Sequence, residues 1–128
     1  MGELLDFDKQ SGLITAVVQD ARTHRVLMVG YMNCEALEKT MSSGHVTFFS
    51  RSRQKLWTKG ESSGHYLLLR SVATDCDGDA LLVTAEPLGA GVCHNGFESC
   101  FYRTWQDGKW TETDKPVYDP DAVYGAKQ

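Results

Sequence analysis

The chain has 128 residues, 41% of them hydrophobic, with 13 Lys and Arg against 17 Asp and Glu for a formal net charge of −4. That length suits one domain rather than two, and the acidic balance excludes a broadly cationic surface built for nucleic acid or an anionic membrane. Apolar runs such as 26–29 and 67–69 are strand-sized, and none approaches the roughly 20 residues that cross a bilayer.

The first eight residues carry neither the basic nor the apolar region of a secretory signal, so the expected location is the cytoplasm. In that compartment Cys34, Cys76, Cys93 and Cys100 are expected as thiols or metal ligands rather than disulfides. Residues 13–18 and 25–29 are β-rich runs separated by a polar stretch, which predicts an antiparallel pair. Asn33 is a good N-cap, Ala36, Leu37, Thr40 and Met41 share one face, and Gly44 supplies a stop. The spacing therefore predicts a helix over 34–43, with Cys34 read as a core cysteine. Strand-like runs follow at 45–50, 56–59, 66–73, 80–85 and 100–106. Asp107-Gly108 demands a two-residue hairpin turn that pairs Trp105 with Trp110. The expected fold is α+β, mainly antiparallel sheet with one helix; residues 1–114 form the domain and 115–128, with Pro116 and Pro120, an irregular tail.

Three clusters carry chemistry. Asp75, Cys76, Asp77 and Asp79 place three carboxylates and a thiol within five residues. In extended backbone the carboxylates project to one side and the thiol to the other. The oxygens suit Mg²⁺ or another hard ion and the thiolate a soft one such as Zn²⁺; a solvated acidic turn has the same composition. An EF-hand is disfavoured, because loop position 6 is Ala80 rather than glycine and the flanks read as strands. In the second cluster Cys93 and Cys100 flank a glycine-containing turn that also holds His94. With Cys76 they make three thiolates, the ligand number of an open catalytic zinc site, although free cysteines are often simply buried. His94 fits either a fourth ligand of a closed structural site or a general acid/base. The third cluster is basic: Arg51, Ser52, Arg53, Lys55 and Lys59, with His65 just downstream. Arginine forks and serine hydroxyls suit a phosphate clamp, and a solvated strand face looks similar.

Taken together, these residues resemble the phosphoribosyl-AMP cyclohydrolases of histidine biosynthesis. The resemblance rests on Ser50-Arg51-Ser52-Arg53, Leu56-Trp57-Thr58-Lys59-Gly60-Glu61, Ser63-Gly64-His65, Asp75-Cys76-Asp77-Gly78-Asp79, Cys93-His94-Asn95-Gly96 and Ser99-Cys100-Phe101-Tyr102-Arg103. It runs from about Gly12 to Arg103. It implies hydrolytic opening of the adenine ring between N1 and C6, with Zn²⁺ and Mg²⁺ as cofactors, in an intertwined homodimer. By the same resemblance Cys76, Cys93 and Cys100 hold zinc across the dimer interface, and Asp75, Asp77 and Asp79 hold Mg²⁺. His94 is then the catalytic acid/base that assists attack by zinc-bound hydroxide. Arg51, Ser52, Arg53, Lys59 and His65 are the candidates for binding the phosphoribosyl nucleotide. Thr58 stands where some members carry His, so it receives no proton-transfer role. A zinc nucleobase deaminase is set aside for want of Pro-Cys-x-x-Cys. The remaining alternative is a non-catalytic zinc-binding module closed by three Cys and one His.

Overall fold

The computed structural model describes residues 4–124; the first three residues of the N-terminal segment and the last four of the expected tail lie outside them. Strands β1 (Ile14–Asp20) and β2 (Val26–Met32) form the antiparallel pair the sequence predicts, with a bulge between Val18 and Gln19. Helix α1 (Cys34–Ser43) has the expected bounds. Asn33 Oδ1 accepts the Ala36 amide at 2.8 Å, and Gly44 closes the helix at φ +77°, a left-handed conformation that glycine adopts without steric cost.

Strands β3 (Thr47–Ser50) and β4 (Lys55–Thr58) make a hairpin, as do β5 (Leu67–Thr74) with β6 (Ala80–Pro87) and β7 (Arg103–Gln106) with β8 (Lys109–Glu112). The α+β class holds, but the main sheet is mixed. Its order is β2-β1-β6-β5, and β1 runs parallel to β6. Nearly sixty residues of chain separate those two strands, and no local pattern announces such a pairing.

Ile14, Ala16 and Val18 of β1 and Leu81, Val83 and Ala85 of β6 point to one face, covered by Leu37 of α1 and Phe48 of β3. Phe48 is fully buried and lies against Gly30, where a Cβ would meet its ring at 2.5 Å. Burial of each such large side chain contributes about 1.5–3 kcal/mol. On the opposite face Val29, Val17, Leu82 and Ala73 stand in register across all four strands; Val29 is 42% and Leu82 39% exposed.

Four local expectations are corrected. Cys34 is exposed at the start of α1, its thiol 3.8 Å from Glu38 Oε2, because the N-cap turn points it outward. Met41 is half exposed, beyond the stripe that α1 buries. The run 100–106 becomes a strand only at Arg103, because the Cys100 amide is engaged by Leu27 O at 2.7 Å and Ser99 Oγ by Val26 O at 2.7 Å. The tail is not wholly irregular: it ends in the short helix α2 (Pro120–Tyr124). The Asp107-Gly108 turn forms as expected, both residues at positive φ, with the two tryptophan rings edge-to-face at 5.3 Å. No helix among the described residues is long and apolar enough to cross a membrane.

Candidate active site

The acidic cluster forms the turn between β5 and β6 rather than extended backbone. Asp75 Oδ1 accepts the amides of Asp79 and Ala80 at 3.0 and 3.2 Å, and Gly78 turns the chain at φ +73° beneath Leu4. The carboxylates of Asp75, Asp77 and Asp79 converge all the same, with ligand oxygens within 4.8 Å of one another. A cation already faces them: Lys9 Nζ lies 3.1 Å from Asp77 Oδ2 and 3.2 Å from Asp79 Oδ2. Crowding splits the carboxyls. Hydrogen bonding to Asp75 raises Asp79 above the usual range, with Lys9 pulling the other way. Desolvation acts to raise Asp75, but hydrogen bonds from Asp79 and Ala80 outweigh it and hold Asp75 low. Three hard oxygens with unspent negative charge fit a divalent cation such as Mg²⁺.

The second cluster is held at the outer edge of β2. Cys93 N donates to Phe97 O and Gly96 N to Cys93 O, at 3.1 and 3.0 Å, so Cys93–Gly96 is a tight turn with His94 exposed on it. Phe97 and Tyr102 stack at 3.7 Å beside the buried Cys93. Buried Ser99 ties the far end of the loop to β2. Arg25 clamps the loop from below through Glu98 at 2.8 Å and through Asp114.

These ties bring the Cys93 and Cys100 thiols into contact. Cys100 is open to solvent on one side yet crowded on the other. Burial pushes its pKa up to about 11, the neighbouring Cys93 adds to the rise, and the positive charge of Lys59 opposes it. Two apposed sulfurs near a lysine make a soft donor pair that fits zinc. Cys76 is exposed in the acidic turn. Among the described residues, the one trio of His, Cys, Asp or Glu within ligating reach is the aspartates; neither Cys76 nor His94 joins the thiol pair in a single chain.

The basic residues divide. Arg51 lies over the Tyr31 ring at 4.3 Å and, with Ser52 and Trp57, borders a cleft of about 580 Å³. Arg53 and Lys55 line a second cleft of about 320 Å³ with Trp57, Glu61 and Ser62. Those last three also line a third, of about 230 Å³, which contains Lys59, His94 and Tyr124. The second and third clefts therefore form one trough, with arginine and lysine at one end and the His94 imidazole at the other. Lys59 is nearly buried, at 9% exposure, on the histidine side of that trough. His65 lies outside it: its Nδ1–H donates to Gly91 O at 2.9 Å. A separate cleft of about 450 Å³ between Arg22 and Arg70 touches none of these residues.

Sequence reading missed Lys9, Tyr31, Tyr118 and Tyr124, all brought in from distant parts of the chain. The Tyr118 hydroxyl donates to Cys93 O at 2.6 Å. Burial and a hydrogen bond with Tyr124 raise its pKa above the ordinary tyrosine range, so it remains a donor at any physiological pH.

The phosphoribosyl-AMP cyclohydrolase family model matches residues 28–102, which span the basic hairpin, the acidic turn and the cysteine loop. A phosphoribosyl-AMP cyclohydrolase of Solibacter usitatus is 60% identical over 123 residues, covering 96% of this chain and 98% of that protein. Those of Syntrophotalea carbinolica and Neisseria meningitidis serogroup A are each 47% identical, over 120 and 124 residues, covering 94% and 97% of this chain and 96% and 94% of theirs. On the family match and on identity along nearly its whole length, this chain belongs to the phosphoribosyl-AMP cyclohydrolase family.

Proposed function

We propose that the chain opens the adenine ring of phosphoribosyl-AMP by hydrolysis between N1 and C6, as a step of histidine biosynthesis, in the cytoplasm and as a homodimer. The observation that carries the reading is the trough itself. It carries the His94 imidazole and Lys59 at one end, the lysine close enough to the Cys93–Cys100 pair for its charge to act on Cys100, and the cationic side chains of Arg53 and Lys55 at the other.

Arg53 and Lys55 bind one phosphate of the substrate, and Arg51 and Ser52 the other across Trp57, whose ring is shared by both clefts. The purine then lies toward His94. Cys93 and Cys100, with Cys76 from a second copy of the chain, hold Zn²⁺, and Asp75, Asp77 and Asp79 hold Mg²⁺. A zinc ion held by these thiolates would supply Lewis acidity, making water a competent nucleophile at neutral pH. His94 takes the proton that the attacking water loses as its oxygen bonds to C6. The same imidazole returns the proton to N1 as the N1–C6 bond breaks, leaving C6 as a carboxamide. Such a positioned acid/base accelerates a reaction by on the order of 10²–10⁴.

Two features support the dimer. The row Val29, Val17, Leu82 and Ala73 is an apolar sheet face that the described residues leave partly exposed, Val29 at 42% and Leu82 at 39%. Within one chain Cys76 also forms no trio of ligating reach with the thiol pair it is proposed to complete. The test is to incubate zinc- and magnesium-loaded protein with phosphoribosyl-AMP and follow the ultraviolet change of ring opening, before and after chelation. Turnover that chelation abolishes and zinc restores supports the reading, as does a His94→Ala variant that keeps zinc but not turnover. An unchanged spectrum with loaded protein defeats the proposal. A His94→Ala variant that loses zinc and fold together returns the closed structural module.

A further inference from the structure

Residues 113–124 lie beyond the stretch the family model matches, and sequence reading assigned them no role. In the structure they cross the outside of the cysteine loop as a strap. Val117 N and Tyr118 N both donate to Gly96 O, at 2.7 and 3.3 Å. The Tyr118 hydroxyl reaches past the turn to Cys93 O. Its ring meets the His65 ring edge-on at 4.8 Å, and His65 in turn holds Gly91 O. The fit is close: at Gly96, φ +97°, a Cβ would stand 2.7 Å from Tyr118 O, and at Gly89 it would strike the His65 ring. From there α2 carries Tyr124 to the wall of the trough beside Lys59 and His94.

The Cys93 carbonyl therefore accepts two hydrogen bonds, one from Gly96 N inside the turn and one from the Tyr118 phenol outside it. Only the second ties the turn to another part of the chain. It fixes the peptide between Cys93 and His94, the link through which both side chains are aimed. We propose that Tyr118 is a positioning residue for the hydrolysis, pinning that peptide so that the Cys93 thiol and the His94 imidazole keep their mutual geometry. The proposal rests on the reading above, in which Cys93 ligates zinc and His94 moves the proton.

Tyr118→Phe removes the hydroxyl and leaves the ring against His65, so the fold is retained and its melting temperature serves as the check. Three readouts on the full chain test the role. Hydrogen exchange at the Cys93 and Gly96 amides of the metal-free protein is expected to quicken by roughly threefold to tenfold, the worth of one lost hydrogen bond, with the β1 and β6 amides unchanged. Zinc affinity, measured by chelator competition, is expected to fall about tenfold, as does kcat at constant KM, in line with the loss of an outer partner of a metal ligand. Unaltered exchange at those two amides overturns the proposal. So does quickened exchange with zinc affinity and kcat both intact. If the wild-type protein takes up no zinc, the functional reading fails by itself, and amide exchange alone still judges whether the Tyr118 hydroxyl pins the turn.

Discussion

Lys9 Nζ stands 3.1 Å from Asp77 Oδ2, inside the ring of aspartates that is the proposed Mg²⁺ site. The contact joins the short helical turn Asp8–Gln10 to the β5–β6 turn across 68 positions of sequence. The N-terminal segment is further tied there by Asp6 N donating to Gly78 O at 2.7 Å.

An ammonium bound to these oxygens and a divalent ion compete for the same charge. Replacing Lys9 by Met is expected to tighten Mg²⁺ binding, and only modestly, because the lysine is solvated: about twofold to fivefold. Calorimetric titration of the zinc-loaded protein with Mg²⁺ measures it. Weaker Mg²⁺ binding in Lys9→Met would mean that the lysine shapes the site rather than fills it.

The proposed sharing of the thiol site between chains has a sharp genetic consequence. Cys76→Ala and Cys93→Ala are each expected to be inactive alone. In a mixed dimer one site keeps all three thiols and the other loses two, so co-refolded variants should recover about a quarter of wild-type activity by the symmetry of the pair. Mixed dimers detected by mass but without activity would mean that each chain builds its site alone.

The parts of this molecule legible in the sequence are those whose causes are local. Asn33 and Gly44 bound α1 because a cap and a left-handed stop need only neighbouring residues. Asp107-Gly108 sets a hairpin for the same reason. The aspartates stand out because three carboxylates in five residues repel unless something gathers them. The parallel pairing of β1 with β6 was hidden because its register is set by the shared buried face of residues far apart in the chain. Cys100, Phe101 and Tyr102 read as a strand on composition, yet Ser99 and Leu27 draw that segment onto the edge of β2 as a loop. Tyr118 carries no signal at all, since an aromatic residue between prolines gains its meaning only from the carbonyl it reaches.

The basic hairpin is held by one buried hydroxyl. Thr40 Oγ1, fully buried on α1, donates to Ala36 O at 2.8 Å and accepts Thr47 N of β3 at 2.9 Å. Thr40→Val preserves the shape and leaves that amide unpaired, at an expected cost of about 1–3 kcal/mol, whereas Thr40→Ser keeps the bond. Urea unfolding of the two variants separates them. Equal midpoints would show that the hydroxyl is dispensable.

Cys100 gives the metal-free protein a pH dependence whose sign follows from its surroundings. An unfolded cysteine loses its proton near pH ~8.5, whereas crowding in the folded chain holds the Cys100 thiol protonated to about 11. Between those values the folded state binds more protons than the unfolded one, so stability falls as pH rises. The contribution is complete below the unfolded value and lost as pH passes through the folded one. Urea midpoints of the metal-free chain are therefore expected to be level from pH 7 to 8 and to decline from about 9 to about 11. Lysines and tyrosines titrate in the same region, and the comparison that isolates the thiol is Cys100→Ser, in which the decline should be shallower. Zinc should flatten it in the wild type too, because a coordinated sulfur has already given up its proton. Identical slopes for the wild type and Cys100→Ser would mean that the thiol is not held protonated by its neighbours.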